Sequence, residues 1–222
     1  AAALKAAALL DAPDPRPDAV AAEIERDAAL VSRFLRLAGA LEAGLRPVSV
    51  GRSVLALGFP MTRRIIGVAT LIPKLGSDEA FWAHALRTAH AASLTARNSR
   101  IGLPDEHWVA GLLHEAGAPL AARFAPGADL APAEIGGFVL ERWKFPAAVA
   151  AAARPPADPV DAVEDARLPR EAVVAAGCCR LVRDEGGRWA GLLRLTPVQA
   201  EEVAAEAEKR TRGTLTDFLA MG

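Results

Sequence analysis

Tyrosine is absent from this 222-residue chain, and aromatic residues of all kinds make up 5% of it. A core must therefore be assembled mostly from Leu, Val, Ile and Ala. Runs of β-branched residues are scarce and alanine is heavily used, which argues against sheets and for helices. An excess of either charge is lacking too: the formal net charge is −1. That removes any general electrostatic pull toward nucleic acid or an anionic membrane, and no basic helix or aromatic platform stands out. No apolar stretch approaches the roughly 20 residues of a membrane span. The Ala-rich start carries one lysine, Lys5, and no cleavage-like flank, so it does not read as a signal peptide. The two cysteines, Cys178 and Cys179, are adjacent. Neighbours on a helix point about 100° apart and do not bridge easily, so both read as small buried hydrophobes in a reducing, cytoplasmic setting. The first residue is not methionine, and the expectation is of a piece of a longer product that carries another module.

What is present is an ordinary globular balance, with 52% hydrophobic and 24% charged residues. The apolar periodicity predicts an all-α fold. Residues 1–10 form a short apolar helix, closed by the breaker-rich segment Asp11 to Pro17. Asp18 is expected to cap a second helix that carries Val20 and Ile24, with Leu30, Phe34 and Leu37 continuing the stripe to Gly39 or Gly44. Ser49 caps a further helix with Gly58 as its stop, and Pro60 opens the next. Gly76-Ser77-Asp78 marks a boundary between a smaller lobe, 1–76, and a larger one, 77–222. In the second lobe Asp78 caps a long helix to Arg97, and Pro104 opens one that ends in His114-Glu115-Ala116-Gly117. Helices are expected from Pro119 and Pro132, at about 170–184, and after Thr196-Pro197-Val198-Gln199, which combines a capping box with proline at the first helical position. Residues 154–159 cannot be regular helix, and Gly186-Gly187-Arg188 reads as a turn.

Imidazole and carboxylate are suitable metal ligands, which draws attention to His84, His114 and Glu115. The two histidines lie thirty positions apart on separate helices and can face each other across a groove; a hydrogen-bonded contact between helices is the favoured reading. His90 and His107 are read as surface or capping residues.

Four blocks in order resemble the HDOD domain, the HD-related output domain of bacterial signalling proteins. The first is Asp27-Ala28-Ala29-Leu30 leading into Phe34-Leu35-Arg36-Leu37-Ala38, similar to the family's Asp-Pro-x-Leu and Leu-Leu-Arg-Leu-Ala-Asn. The second runs from Val48-Ser49-Val50 to Leu55-Ala56-Leu57-Gly58. The third joins Phe81-Trp82-Ala83-His84 to Gly111-Leu112-Leu113-His114-Glu115-Ala116-Gly117, where the family usually has His-Asp-Ile-Gly. The fourth joins Glu134-Ile135-Gly136-Gly137 to Leu140-Glu141-Arg142-Trp143-Lys144-Phe145-Pro146. The resemblance implies an HD-like helical bundle preceded by a smaller helical lobe. It also implies further ligands that are missing here: Pro132, Pro156 and Ala157 stand where the family often has histidine.

With only His84, His114 and Glu115 left as remnant positions, no catalytic residue, bound metal or cofactor is expected. The expected role is that of a non-catalytic output module in bacterial signal transduction, acting by protein–protein interaction with a partner or an attached signalling domain. Arg63, Arg64, Arg142, Lys144 and Arg154 offer a basic rim for a partner or a small anionic ligand. The alternative is a metal-dependent phosphohydrolase acting on a nucleotide or cyclic dinucleotide, with Asp129, Asp158, Asp161 or Glu164 supplying the missing ligands.

Overall fold

The computed structural model describes residues 1–41, 49–154, 168–183 and 188–221. Among these residues every regular element is helical. The chain divides into two units, one formed by Ala1–Gly76 with Ala220–Gly222 and the other by Ser77–Leu219. The sequence reading carries the second lobe on to 222; instead the buried Met221 goes with the first unit, where its carbonyl accepts from Arg33 Nε at 3.3 Å.

The first unit holds α1 (Ala2–Leu10), α2 (Pro17–Ile24), α3 (Ala28–Leu41) and α4 (Val50–Leu75). Helix α2 starts at Pro17 with Arg16 at its N-cap, so Asp18 lies in the first turn and pairs with Arg16 rather than capping. The stripe through Ile24 and Leu30 is not one continuous helix. Asp27 breaks it, its Oδ1 accepting from the backbone N–H of Ala29 and Leu30 at 3.1 and 3.0 Å. Ser49 caps α4 by accepting from Arg52 N at 3.3 Å. Gly58 sits within α4 at φ 69° and ψ 168°, a backbone region essentially reserved for glycine, and kinks the helix just before Pro60. By length and composition α4 is apolar enough to cross a membrane, which the count of consecutive apolar residues did not reveal. Within this unit Ile65, Ile66, Val68, Leu71 and Ile72 of α4 are nonetheless buried, as a core helix requires.

The second unit holds α5 (Glu79–Ser99), α6 (Pro104–Leu113), α7 (Gly117–Phe124), α8 (Pro132–Arg142), α9 (Ala147–Ala152), α10 (Arg170–Val182), α11 (Arg188–Leu192) and α12 (Pro197–Leu219). Helix α5 is the spine, packing against α6, α10 and α12. Its alanines allow this: Ala85, Ala89, Ala91, Ala92 and Ala96 are all essentially inaccessible, so neighbouring backbones come close. One close approach is at Gly111 of α6, where an added Cβ would lie 2.8 Å from Ala89 Cα and 2.9 Å from the Thr88 carbonyl. Phe218 of α12 then ties the layers together, its ring centroid 5.5 Å from Trp82 and 6.4 Å from Trp108. The capping box at α12 closes both ways: Thr196 N donates to Gln199 Oε1 at 2.9 Å, and Gln199 N donates to Thr196 Oγ1 at 3.2 Å. The expected turn at Gly186-Gly187 and the irregular segment from Pro155 lie outside the described residues, as do Pro156 and Ala157. Arg188, read as part of that turn, begins α11.

Candidate functional site

Helix α6 stops one residue before His114, and the chain turns through His114, Glu115 and Ala116 into α7, which starts at Gly117 rather than Pro119. Gly117 is required there because a side chain would run into the Pro132 carbonyl of α8. This turn points both His114 and Glu115 toward α5. His84 Nε2 and His114 Nε2 lie 3.2 Å apart, which is the expected contact between helices. Glu115 Oε2 is 3.6 Å from His84 Nε2, and Glu115 Oε1 is 3.8 Å from His114 Nε2.

Two further residues come from α10. Cys179 Sγ lies 3.5 Å from His84 Nε2, and Arg183 Nη2 holds Glu115 Oε1 at 2.5 Å. Both were missed in the sequence, where the adjacent cysteines read only as packing groups. The available signal was their spacing: Cys179 and Arg183 are four residues apart and share one face of the helix, while Cys178 points about 100° away. Cys178 does behave as a packing residue. It is fully buried beside Thr95, and burial pushes its thiol up to about 12.

The tautomers follow from the fixed partners. His114 Nδ1 lies 2.7 Å from the Gly111 carbonyl, which can only accept, so Nδ1 carries the hydrogen and Nε2 presents a lone pair. Burial pushes the His114 pKa down to about 4, with Glu115 opposing that effect. Burial also lowers His84, again against the attraction of Glu115 and with Arg183 and Arg87 assisting. Both rings are therefore neutral near pH 7 and able to act as ligands.

The remaining candidates stand elsewhere. His90 and His107 are buried at 3% and 0% exposure, so neither is a surface residue. His90 faces the Trp108 ring across α5 and α6, and His107 Nδ1 donates to the Leu103 carbonyl at 2.9 Å. Arg142, the last residue of α8, and Lys144 just beyond it are exposed. Arg154 is engaged by carboxylates of α8, at 2.6 Å from Glu141 Oε1 and 3.6 Å from Glu134 Oε2. Asp129 is exposed and does not join the histidines, while Asp158, Asp161 and Glu164 lie outside the described residues.

The resemblance to an HD-related family raises the question of a metal. Among the described residues, His84, His114, Glu115 and Cys179 form a set with one ligand atom each, all within 4.8 Å of one another. Two nitrogens, one oxygen and one sulfur suit a single borderline-soft cation. The set has no second group of donors for a paired ion among the described residues.

Four-fifths-length or greater likeness is found to solved structures. A proposed phosphohydrolase from Shewanella amazonensis SB2B aligns at TM-score 0.70 and 20% identity, over 99% of this chain and 92% of its own. A proposed metal-dependent phosphohydrolase from the same organism aligns at TM-score 0.70 and 16% identity, over 96% and 90% of the two chains. An HDOD domain protein of unknown function from Geobacter sulfurreducens aligns at TM-score 0.63 and 18% identity, over 100% and 91%. At such identities the likeness is one of fold. No curated protein matches the chain. The HDOD domain family matches residues 1–129, more than half of the sequence, and the chain belongs to that family.

Proposed function

We propose that this HDOD protein is a non-catalytic output module of bacterial signal transduction, working in the cytoplasm through contact with a protein partner or an attached signalling domain. The observation that carries this reading is the composition of the site. Hydrolysis by a bound metal needs an open coordination position where water becomes a nucleophile. Here the two imidazoles are crowded by Glu115 and Cys179, and Glu115 is tied down by Arg183. The family position at Pro132 opens α8 and offers no ligand atom. Arg142 and Lys144 form the exposed part of the basic rim and are the charges offered to a partner. Arg154, locked between Glu134 and Glu141, orders α8 instead.

The phosphohydrolase alternative has one observation in its favour, the convergence of His84 and His114 on a shared point. The two readings separate in a direct assay. The full chain, supplied in turn with Mn2+, Fe2+ and Zn2+, is expected to leave cyclic dinucleotides and nucleotides at the buffer rate. Crosslinking in the native host is expected to recover a partner that Arg142→Glu with Lys144→Glu releases. Turnover abolished by His114→Ala would replace the signalling role with catalysis.

A further inference from the structure

We propose that His84, His114, Glu115 and Cys179 form a closed, four-ligand site for one zinc-class divalent cation, held for structure rather than for turnover. Cys179 is the donor that the family resemblance does not supply.

The spacing of the donors carries the argument. Zinc ligands at tetrahedral angles, with N at about 2.0–2.1 Å and S at about 2.3 Å, place two nitrogens roughly 3.3 Å apart and a nitrogen and a sulfur roughly 3.6 Å apart. The observed separations are 3.2 Å between the two Nε2 atoms and 3.5 Å from His84 Nε2 to Cys179 Sγ. Glu115 Oε2, 3.6 Å from His84 Nε2, brings the fourth donor, while Arg183 occupies the other oxygen. The four donor atoms lie within 4.8 Å of one another, so binding draws the widest pairs together by up to about 1 Å to reach tetrahedral spacing. Arg183 is thus a positioning residue, presenting Glu115 through a single atom.

The bare Nε2 of His114, Glu115 Oε2 and Cys179 Sγ all gather around His84 Nε2, and each of the four atoms is one that a single cation can take as a ligand. On binding, Cys179 Sγ–H releases its proton to solvent as the metal–sulfur bond forms, and the resulting thiolate and the carboxylate together balance the two positive charges. Thiolate with imidazole favours zinc over magnesium, calcium or manganese. Four protein donors leave no position for water, so the ion ties α5, the α6–α7 turn and α10 together without creating a nucleophile.

The inference is independent of the partner-binding role and is tested by metal content and spectroscopy. The purified full chain is stripped with a chelator and titrated with Zn2+ and then with Co2+. One equivalent is expected to bind, and the Co2+ form is expected to show a thiolate-to-metal charge-transfer band with intense tetrahedral ligand-field absorption. Cys179→Ser should remove the charge-transfer band and weaken Zn2+ binding at least about 10-fold, while Cys178→Ser should leave both unchanged. In the unaltered protein, Zn2+ should protect Cys179 from alkylation, mapped by peptide mass spectrometry. Binding well below one equivalent, a Co2+ spectrum without the thiolate band, or equal alkylation with and without Zn2+ would overturn the proposal. The alkylation arm uses no variant, so misfolding of Cys179→Ser cannot rescue the idea.

Discussion

Burial holds the His90 imidazole neutral, its pKa pushed down to about 4, with Arg210 adding to that effect and Glu206 opposing it. Linkage then gives a definite sign. Above about pH 6.5, the value for an unperturbed histidine, both the folded and the unfolded chain carry a neutral His90, and its contribution to stability is intact. Below that pH the unfolded chain takes up a proton that the folded chain refuses. Stability is lost progressively until about pH 4, below which both states are protonated. The loss amounts to about 3.5 kcal/mol at most, from roughly 1.4 kcal/mol per pKa unit. His114 acts in the same direction over the same window. Urea unfolding at pH 7 and pH 4.5 should therefore show a clear fall that His90→Gln reduces by about 2 kcal/mol. Equal falls for the two proteins would refute the assignment. None of this was legible from the position of His90 in the sequence, since its burial depends on α6 and α12 packing over that face of α5.

Helix starts were the most readable elements, because capping and proline chemistry act within three or four residues. Ser49, Asp78, Pro104, Pro132 and the Thr196–Gln199 box all stand where the local rules put them. The misreadings arose where two local signals competed, as at Pro17 against Asp18 and at Asp27 within an apolar stripe. Glycines separate local from tertiary causes more sharply. Gly213 lies inside α12 with nothing within 4 Å of an added Cβ. Gly213→Ala should raise stability by about 0.5–1 kcal/mol through the unfolded chain. Gly111 meets the α5 backbone instead, which cannot yield as a side-chain tip can. Gly111→Ala should cost about 1–3 kcal/mol by forcing α5 and α6 apart. Denaturation midpoints for the two variants should move in opposite directions; a shared direction would mean that the α5–α6 contact is not the constraint described.

For the molecule as a whole, the proposed ion carries a measurable consequence. A ligand that binds only the folded state stabilises it by about 2.7 kcal/mol at 100 times its dissociation constant. Zn2+ should therefore raise the thermal midpoint of the stripped chain by several degrees, and chelator should reverse the shift. Cys179→Ser should abolish the response. A midpoint indifferent to Zn2+ would argue against any ion that joins α5 to α10.

The amino-acid order settled the helical class, most helix starts and the family blocks, because periodicity, caps and turn residues act through neighbours a few positions away. It also singled out His84, His114 and Glu115. Tertiary structure alone decided that Cys179 and Arg183 meet them, since α10 begins more than fifty residues after Glu115 and nothing local records which face it turns toward α5. A thiol next to a second thiol looks like packing until α5 and the α6–α7 turn each supply an imidazole within 4.8 Å.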